Sequence, residues 1–123
     1  MSSIYEINIG ESIECVFFPI ERVIKRNTND DKIKLTTTEA EMFKLLCSHA
    51  GKSVERAQIE NEVWRGRGVI PTTTNLNQLV CTLRKKVKKI TDGNIIITVP
   101  RIGFVLSDIV EVYPTEKNKN LYK

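Results

Sequence analysis

Six cations crowd into eighteen positions in the second half of the chain: Arg84, Lys85, Lys86, Lys88, Lys89 and Arg101, opposed by Asp92 alone. Over the first twenty residues the balance reverses, with Glu6, Glu11 and Glu14 and no Lys or Arg. A net charge of +4 focused in this way suits a polyanionic partner. Ahead of the lysines stand short hydrogen-bonding groups, Thr73, Thr74, Gln78, Cys81 and Thr82. Such side chains fit the edges of base pairs, where Gln can pair with adenine and a Thr methyl can touch thymine. Lys and Arg fit phosphates. Other chemistries find little support. His49 is the sole histidine, the carboxylates are scattered, and Gly66 and Gly68 lack the following Gly-Lys of a phosphate loop. Three cysteines, Cys15, Cys47 and Cys81, are odd in number and form no CxxC pair, so neither a disulfide framework nor a metal site is expected. A lone thiol such as Cys81 is more often inert than a redox switch. The expectation is a non-enzymatic protein without a cofactor.

The basic residues must be held by a scaffold, and the hydrophobic period shows which. A chain of 123 residues, 41% hydrophobic, is enough for one domain with a core. The first 35 residues run in short apolar or alternating stretches (IYEINI, IECVFF, ERVIKR, KIKL) separated by Gly-Glu-Ser, Pro19 and a turn at residues 29–31. That pattern predicts an antiparallel sheet of four strands. At Thr36 the period becomes helical, and Thr36 with Glu39 forms a capping box, which satisfies free backbone N–H groups at a helix start. Ala40, Phe43, Leu46, Cys47 and Ala50 are its buried stripe, and Gly51 ends it. A short second helix is predicted over 55–64, with Ile59 and Val63 inward and Glu55 a poor N-cap. The stretch 65–71, with two glycines and Pro71, is a loop.

Thr72 to Thr74 then supply capping oxygens for a long third helix over about 73–90. On a wheel of about 100° per residue, Leu76, Val80, Leu83 and Val87 share an arc of about 60°, flanked by Leu79 and Ile90. Thr74, Gln78, Cys81, Thr82, Lys85, Lys88 and Lys89 lie opposite. The exposed face thus changes from small polar groups to lysines. A membrane-surface helix would be cationic along its whole polar face. Two β-branched runs, IIITVP and IGFVLSD, complete a hairpin with Arg101 at its tip. Helix, short helix, loop, basic helix and hairpin in this order make an α+β winged helix-turn-helix, with the third helix in the major groove and the hairpin wing beside it.

The stretches LTTTEAEMFKLLCSHAGKSVERAQIENEVW, TTTNLNQLVCTLRKKVKKI and IIITVPRIGFVL resemble the OmpR/PhoB-type DNA-binding domain of bacterial transcription regulators, and within it the ToxR/CadC-like branch. The likeness spans Leu35 to Leu106. It implies a sequence-specific regulator of transcription that binds double-stranded DNA. Thr74, Gln78, Cys81, Thr82 and Lys85 would then read bases, and Trp64, Thr73, Arg84, Lys86, Lys88 and Lys89 would touch the DNA backbone. Arg101 would enter the minor groove, and the loop of Arg65 and Arg67 would face RNA polymerase. For Arg84 an internal carboxylate partner is the competing expectation, and for Trp64 a core position. Cys81 and Thr82 stand where many relatives carry arginine, so the operator cannot be transferred. The alternative function is an interaction module acting through a partner regulator or polymerase.

Three segments follow: 1–35, the sheet of the same domain; 36–107, the DNA-binding core; and 108–123, a polar tail. No apolar run approaches the ~18 residues of a membrane span, and the cysteine usage fits a reducing cytoplasm. The ToxR-like branch continues into a membrane anchor, so the resemblance implies either a freestanding member or the cytoplasmic part of a longer regulator. A single domain of this size grips one half-site, and a homodimer or tandem binding on DNA repeats is expected.

Overall fold

The computed structural model describes residues 3–29 and 31–116. The chain opens with four antiparallel strands, β1 (Ser3–Ile9), β2 (Ser12–Phe18), β3 (Val23–Arg26) and β4 (Lys32–Lys34). Helix α1 (Thr37–Ser48) follows, then β5 (Val54–Glu55), α2 (Arg56–Val63), a 3-10 turn over Arg65–Arg67, and α3 (Thr73–Thr91). Strands β6 (Ile96–Val99), β7 (Gly103–Leu106) and β8 (Val110–Glu116) close it. Of the turn expected at 29–31, Asp30 lies outside the described residues, and the Asp31 N–H donates to the Asn29 side-chain oxygen (2.9 Å).

The first sheet has five strands in the order β4-β3-β2-β1-β8, one more than the sequence suggested. Residues 108–123 were expected to be a polar tail, yet Val110 to Glu116 pair with β1 along their full length, from Ile9↔Val110 to Ser3↔Glu116. The rest of that segment, 117–123, lies outside the described residues. The strand accommodates Pro114 because β8 is an edge, and a proline there interrupts no second ladder.

The second sheet, β5-β7-β6, is the wing with a short strand added. Strand β5 has no signature of its own, since two residues are too few for alternation. It forms because Gly103 of β7 lets the backbones meet: a Cβ there would collide with the Val54 carbonyl oxygen. Glu55 makes no side-chain cap for α2. Instead the Arg56 N–H donates to the Ile102 carbonyl of the wing (3.2 Å), so the wing satisfies one of the helix's free N–H groups.

The core lies between the five-stranded sheet and the helices. Phe17 of β2 and Phe43 of α1 meet edge to face at 4.8 Å, with Tyr5 stacked on Phe17 at 6.2 Å. Leu76, Leu79, Val80, Leu83, Val87 and Ile90 of α3 are all buried against this core, as the helical period predicted. Ala50 is exposed rather than buried, because α1 ends two residues before it.

Candidate nucleic-acid interface

The start of α3 is built by Thr72, whose hydroxyl accepts from the Asn75 N–H (3.1 Å) while the Asn75 side chain accepts from the Thr72 N–H (2.8 Å). This capping box fixes the helix's first turn and leaves Thr73 and Thr74 exposed. Its far end is held from β3. The Arg26 guanidinium donates to the Lys89 carbonyl and pairs with Asp92 at 3.4 Å, and Asp92 is itself the left-handed C-cap residue (φ 57°). The sequence reading missed Arg26, since only the fold brings it to the helix end.

Along the outward face, Thr74, Gln78, Cys81, Lys85, Lys88 and Lys89 are exposed. All five cations of α3 share the helix with no carboxylate. The two flanks depart from the wheel reading. Lys86 was expected on phosphate, but its ammonium lies 2.6 Å from Glu39 Oε1 and 3.2 Å from the Lys34 carbonyl, an internal ion pair between α3 and the start of α1. Thr82, expected to read bases, is exposed, with its hydroxyl donating to the Leu79 carbonyl (3.2 Å). A wheel gives the angle of a side chain and not what packs beside it.

Glu39 is nearly inaccessible (3%) and completes the capping box of α1, its carboxylate accepting from the Thr36 N–H at 2.8 Å. Burial pushes its carboxyl up. The Lys86 ammonium and the hydrogen bonds from Thr36 and Thr82 outweigh that and hold it below the ordinary glutamate value. Cys15 and Cys47 are buried thiols in the core. Burial above all pushes Cys47 up and Cys15 up to about 12, which removes their thiolates at neutral pH.

On the other flank, Arg84 Nε donates to the Ile96 carbonyl (2.9 Å) and an Nη donates to the Thr98 hydroxyl (2.7 Å). Its partners within the protein are therefore a carbonyl and a hydroxyl of the wing, and not the carboxylate of the competing expectation. Arg101 occupies the hairpin tip with φ 67°, following Pro100, and the Ile102 N–H closes the turn on the Val99 carbonyl (3.0 Å). Pro then a left-handed residue is the pattern of a type II turn, which favours Gly or Asn at the second place. Holding an arginine there costs about 1 kcal/mol of backbone strain and keeps its side chain exposed. Trp64 is half-buried at the end of α2, packed on the core. Arg65 and Arg67 are exposed, with Arg67 3.6 Å from Glu41, and the adjoining Val69 and Ile70 are exposed apolar residues.

Residues 30–106 match the family described as "Transcriptional regulatory protein, C terminal". The chain belongs to this OmpR/PhoB-type family. The cholera toxin transcriptional activator of Vibrio cholerae is 28% identical to the OmpR/PhoB-type chain over 95 residues, which are 76% of this chain and 32% of that protein. The chain thus spans about a third of that relative's length. Among solved structures, the DNA-binding domain of E. coli CadC superposes with a TM-score of 0.69 at 24% identity, covering 87% of this chain and 95% of that one. The DNA-binding domain of CpxR from E. coli gives 0.62 at 23%, covering 81% and 96%. The Klebsiella pneumoniae RstA DNA-binding domain, solved in complex with RstA box, gives 0.62 at 21%, covering 81% and 94%. These likenesses establish the winged-helix fold. Membership of the family makes this a DNA-binding domain of the transcriptional-regulator class.

Proposed function

We propose that this domain binds double-stranded DNA sequence-specifically through α3 in the major groove and the β6–β7 wing in the adjacent minor groove, and thereby controls transcription. The observation that carries the reading is α3 itself: a nineteen-residue helix with five cations, no carboxylate, and an outward face that grades from Thr and Gln to Lys. Thr74, Gln78, Cys81 and Lys85 stand where base edges would lie. Lys88 and Lys89 supply phosphate contacts at the C-terminal end, Thr73 supplies one at the first turn, and Trp64 supports the helix pair from behind. Arg101, held in a left-handed turn, suits a narrow minor groove with its enhanced negative potential.

Two further partners belong to the reading. Arg65 and Arg67 together with exposed Val69 (48%) and Ile70 (79%) offer a mixed basic and apolar surface for RNA polymerase. A single recognition helix reads one half-site, so two copies in a homodimer or in tandem on DNA repeats would provide the affinity of a regulator. The place of action is the cytoplasm. No helix among the described residues is long and apolar enough to cross a membrane, and an anchored parent would carry its span elsewhere in its sequence.

Selection from a pool of random duplexes at two salt concentrations tests this. Enrichment of a short motif, repeated at about one helical turn for paired copies, is the expected result. Binding that falls with salt and enriches nothing would reduce the domain to a nonspecific binder. No binding at all would favour an interaction module that acts through a protein partner.

A further inference from the structure

The wing ends in two apolar side chains that stand on either side of its cation. Pro100 and Ile102 flank Arg101, all three are exposed, and Ile102 keeps 48% of its surface open to solvent. A single exposed isoleucine on a broad surface carries no message. This one sits at the tip of a hairpin, and its backbone is fixed on both sides. Its N–H closes the turn on the Val99 carbonyl (3.0 Å), and its carbonyl accepts from the Arg56 N–H at the start of α2 (3.2 Å). Pro100 locks its own φ, and the pairing of β7 with β5 begins at the next residue, Gly103↔Glu55.

Such a tip is stiff. The close approach of Gly103 to Val54, which a Cβ would forbid, sets the hairpin directly against the strand that leads into α2. A push on the tip therefore passes into the body of the domain. The tip's chemistry has two parts. A guanidinium seeks the negative potential of a minor groove lined by A·T pairs. A branched apolar side chain gains nothing from phosphates or water. The apolar surface open to it in a minor groove is the deoxyribose wall and, once two stacked pairs part, the face of a base. Stiffness and the second apolar group, Pro100, favour the base face, because a yielding tip would retreat before it parted a stack.

We infer that the wing tip is a wedge: Ile102, with Pro100 beside Arg101, enters the minor groove at one base-pair step, partly unstacks it and bends the duplex toward the major groove. The inference rests on the DNA-binding reading, with the wing in the minor groove, and names what the wing selects. A lone arginine prefers a stiff A-tract, whose groove is narrow, whereas a wedge prefers a step that opens easily, TpA or CpA. Arg101 and Ile102 together therefore select an A·T-rich segment interrupted by such a step. Bending around the tip brings more of the duplex against the domain, which offsets the cost of unstacking.

Two duplexes carry the selected major-groove motif and equal A·T content beside it, under the wing, one as an uninterrupted A-tract and one with a central TpA step. The unaltered protein should prefer the TpA duplex roughly fivefold. Ile102→Ala should lose that preference, the bulky Ile102→Leu should keep it, and Arg101→Ala should weaken both duplexes by the same factor. In parallel, a fluorescent adenine analogue that brightens when unstacked replaces each adenine under the wing in turn. One position should brighten on binding the unaltered protein and stay dark with Ile102→Ala. A TpA preference together with a brightened step establishes the wedge. Tight binding of the motif with equal affinity for the two duplexes, a preference for the A-tract, or no brightened position overturns it and leaves the regulator reading standing. Failure to enrich any motif overturns both.

Discussion

The two flanks of α3 carry the same kind of charge and meet different fates. Toward α1, Lys86 finds the buried Glu39 at 2.6 Å, and the pair ties the recognition helix to the capping box of its neighbour. Toward the wing, Arg84 finds a carbonyl and a hydroxyl, and it shares the face of the Phe104 ring with Arg56. On one side the positive charge is neutralised inside the protein and becomes architecture. On the other it is oriented by neutral acceptors, and no ion pair among the described residues joins it to a carboxylate. The lesson is that the role of a basic side chain on a DNA-binding helix is set by whether the fold supplies its counter-charge.

The largest effect should come from removing the acid of the neutralised flank. Glu39→Ala deletes half of a capping box and leaves the Lys86 ammonium without its partner, a loss of about 3 kcal/mol of stability by chemical denaturation. At temperatures where the variant is folded, its salt dependence of DNA binding should match the unaltered protein. A change in that dependence would place the Glu39 flank in the DNA interface and break the comparison.

Acidification should reproduce part of this loss. The folded-state carboxyl of Glu39 binds its proton less tightly than in the unfolded chain. Its contribution is therefore complete above the ordinary glutamate value and disappears as pH falls through the lower, folded value. Denaturation midpoints of the unaltered protein should fall across that acid window more steeply than those of Glu39→Gln. Parallel curves would show that the pair contributes nothing through ionisation.

Smaller effects sharpen the outward face between the flanks. Gln78→Ala should relax base preference at one position by ~1–3 kcal/mol, seen as a flattened motif in a repeated selection. Lys89→Ala should instead weaken selected and random duplexes by the same factor. Equal behaviour of these two variants would erase the division between reading and gripping residues.

Much of this was legible in the sequence. The Thr36–Glu39 box, the threonines before α3 and the apolar spacing from Leu76 to Ile90 are local signals, and each stands where it was expected. What escaped depends on contacts between distant segments. Strand β5 exists because Gly103 admits Val54, and β8 exists because β1 has a free edge for it. Lys86 looked like an interface residue because a helical wheel carries no record of Glu39 arriving from α1. Arg26 and Arg56 were overlooked for the converse reason: nothing local to either marks it as touching α3 or the wing. The line-up of Thr74, Gln78, Cys81 and Lys85 on one exposed face followed from period alone.

The most direct test of the contrast compares two lysines of α3, exposed Lys88 and internally paired Lys86. Affinity for the selected duplex is measured across a series of salt concentrations for Lys88→Ala and Lys86→Ala. Each lost phosphate contact should lower the slope of log K against log salt by about 0.9. The account predicts that drop for Lys88→Ala and an unchanged slope for Lys86→Ala, whose cost should appear in stability instead. Equal drops for both, or a drop for Lys86→Ala alone, would contradict it.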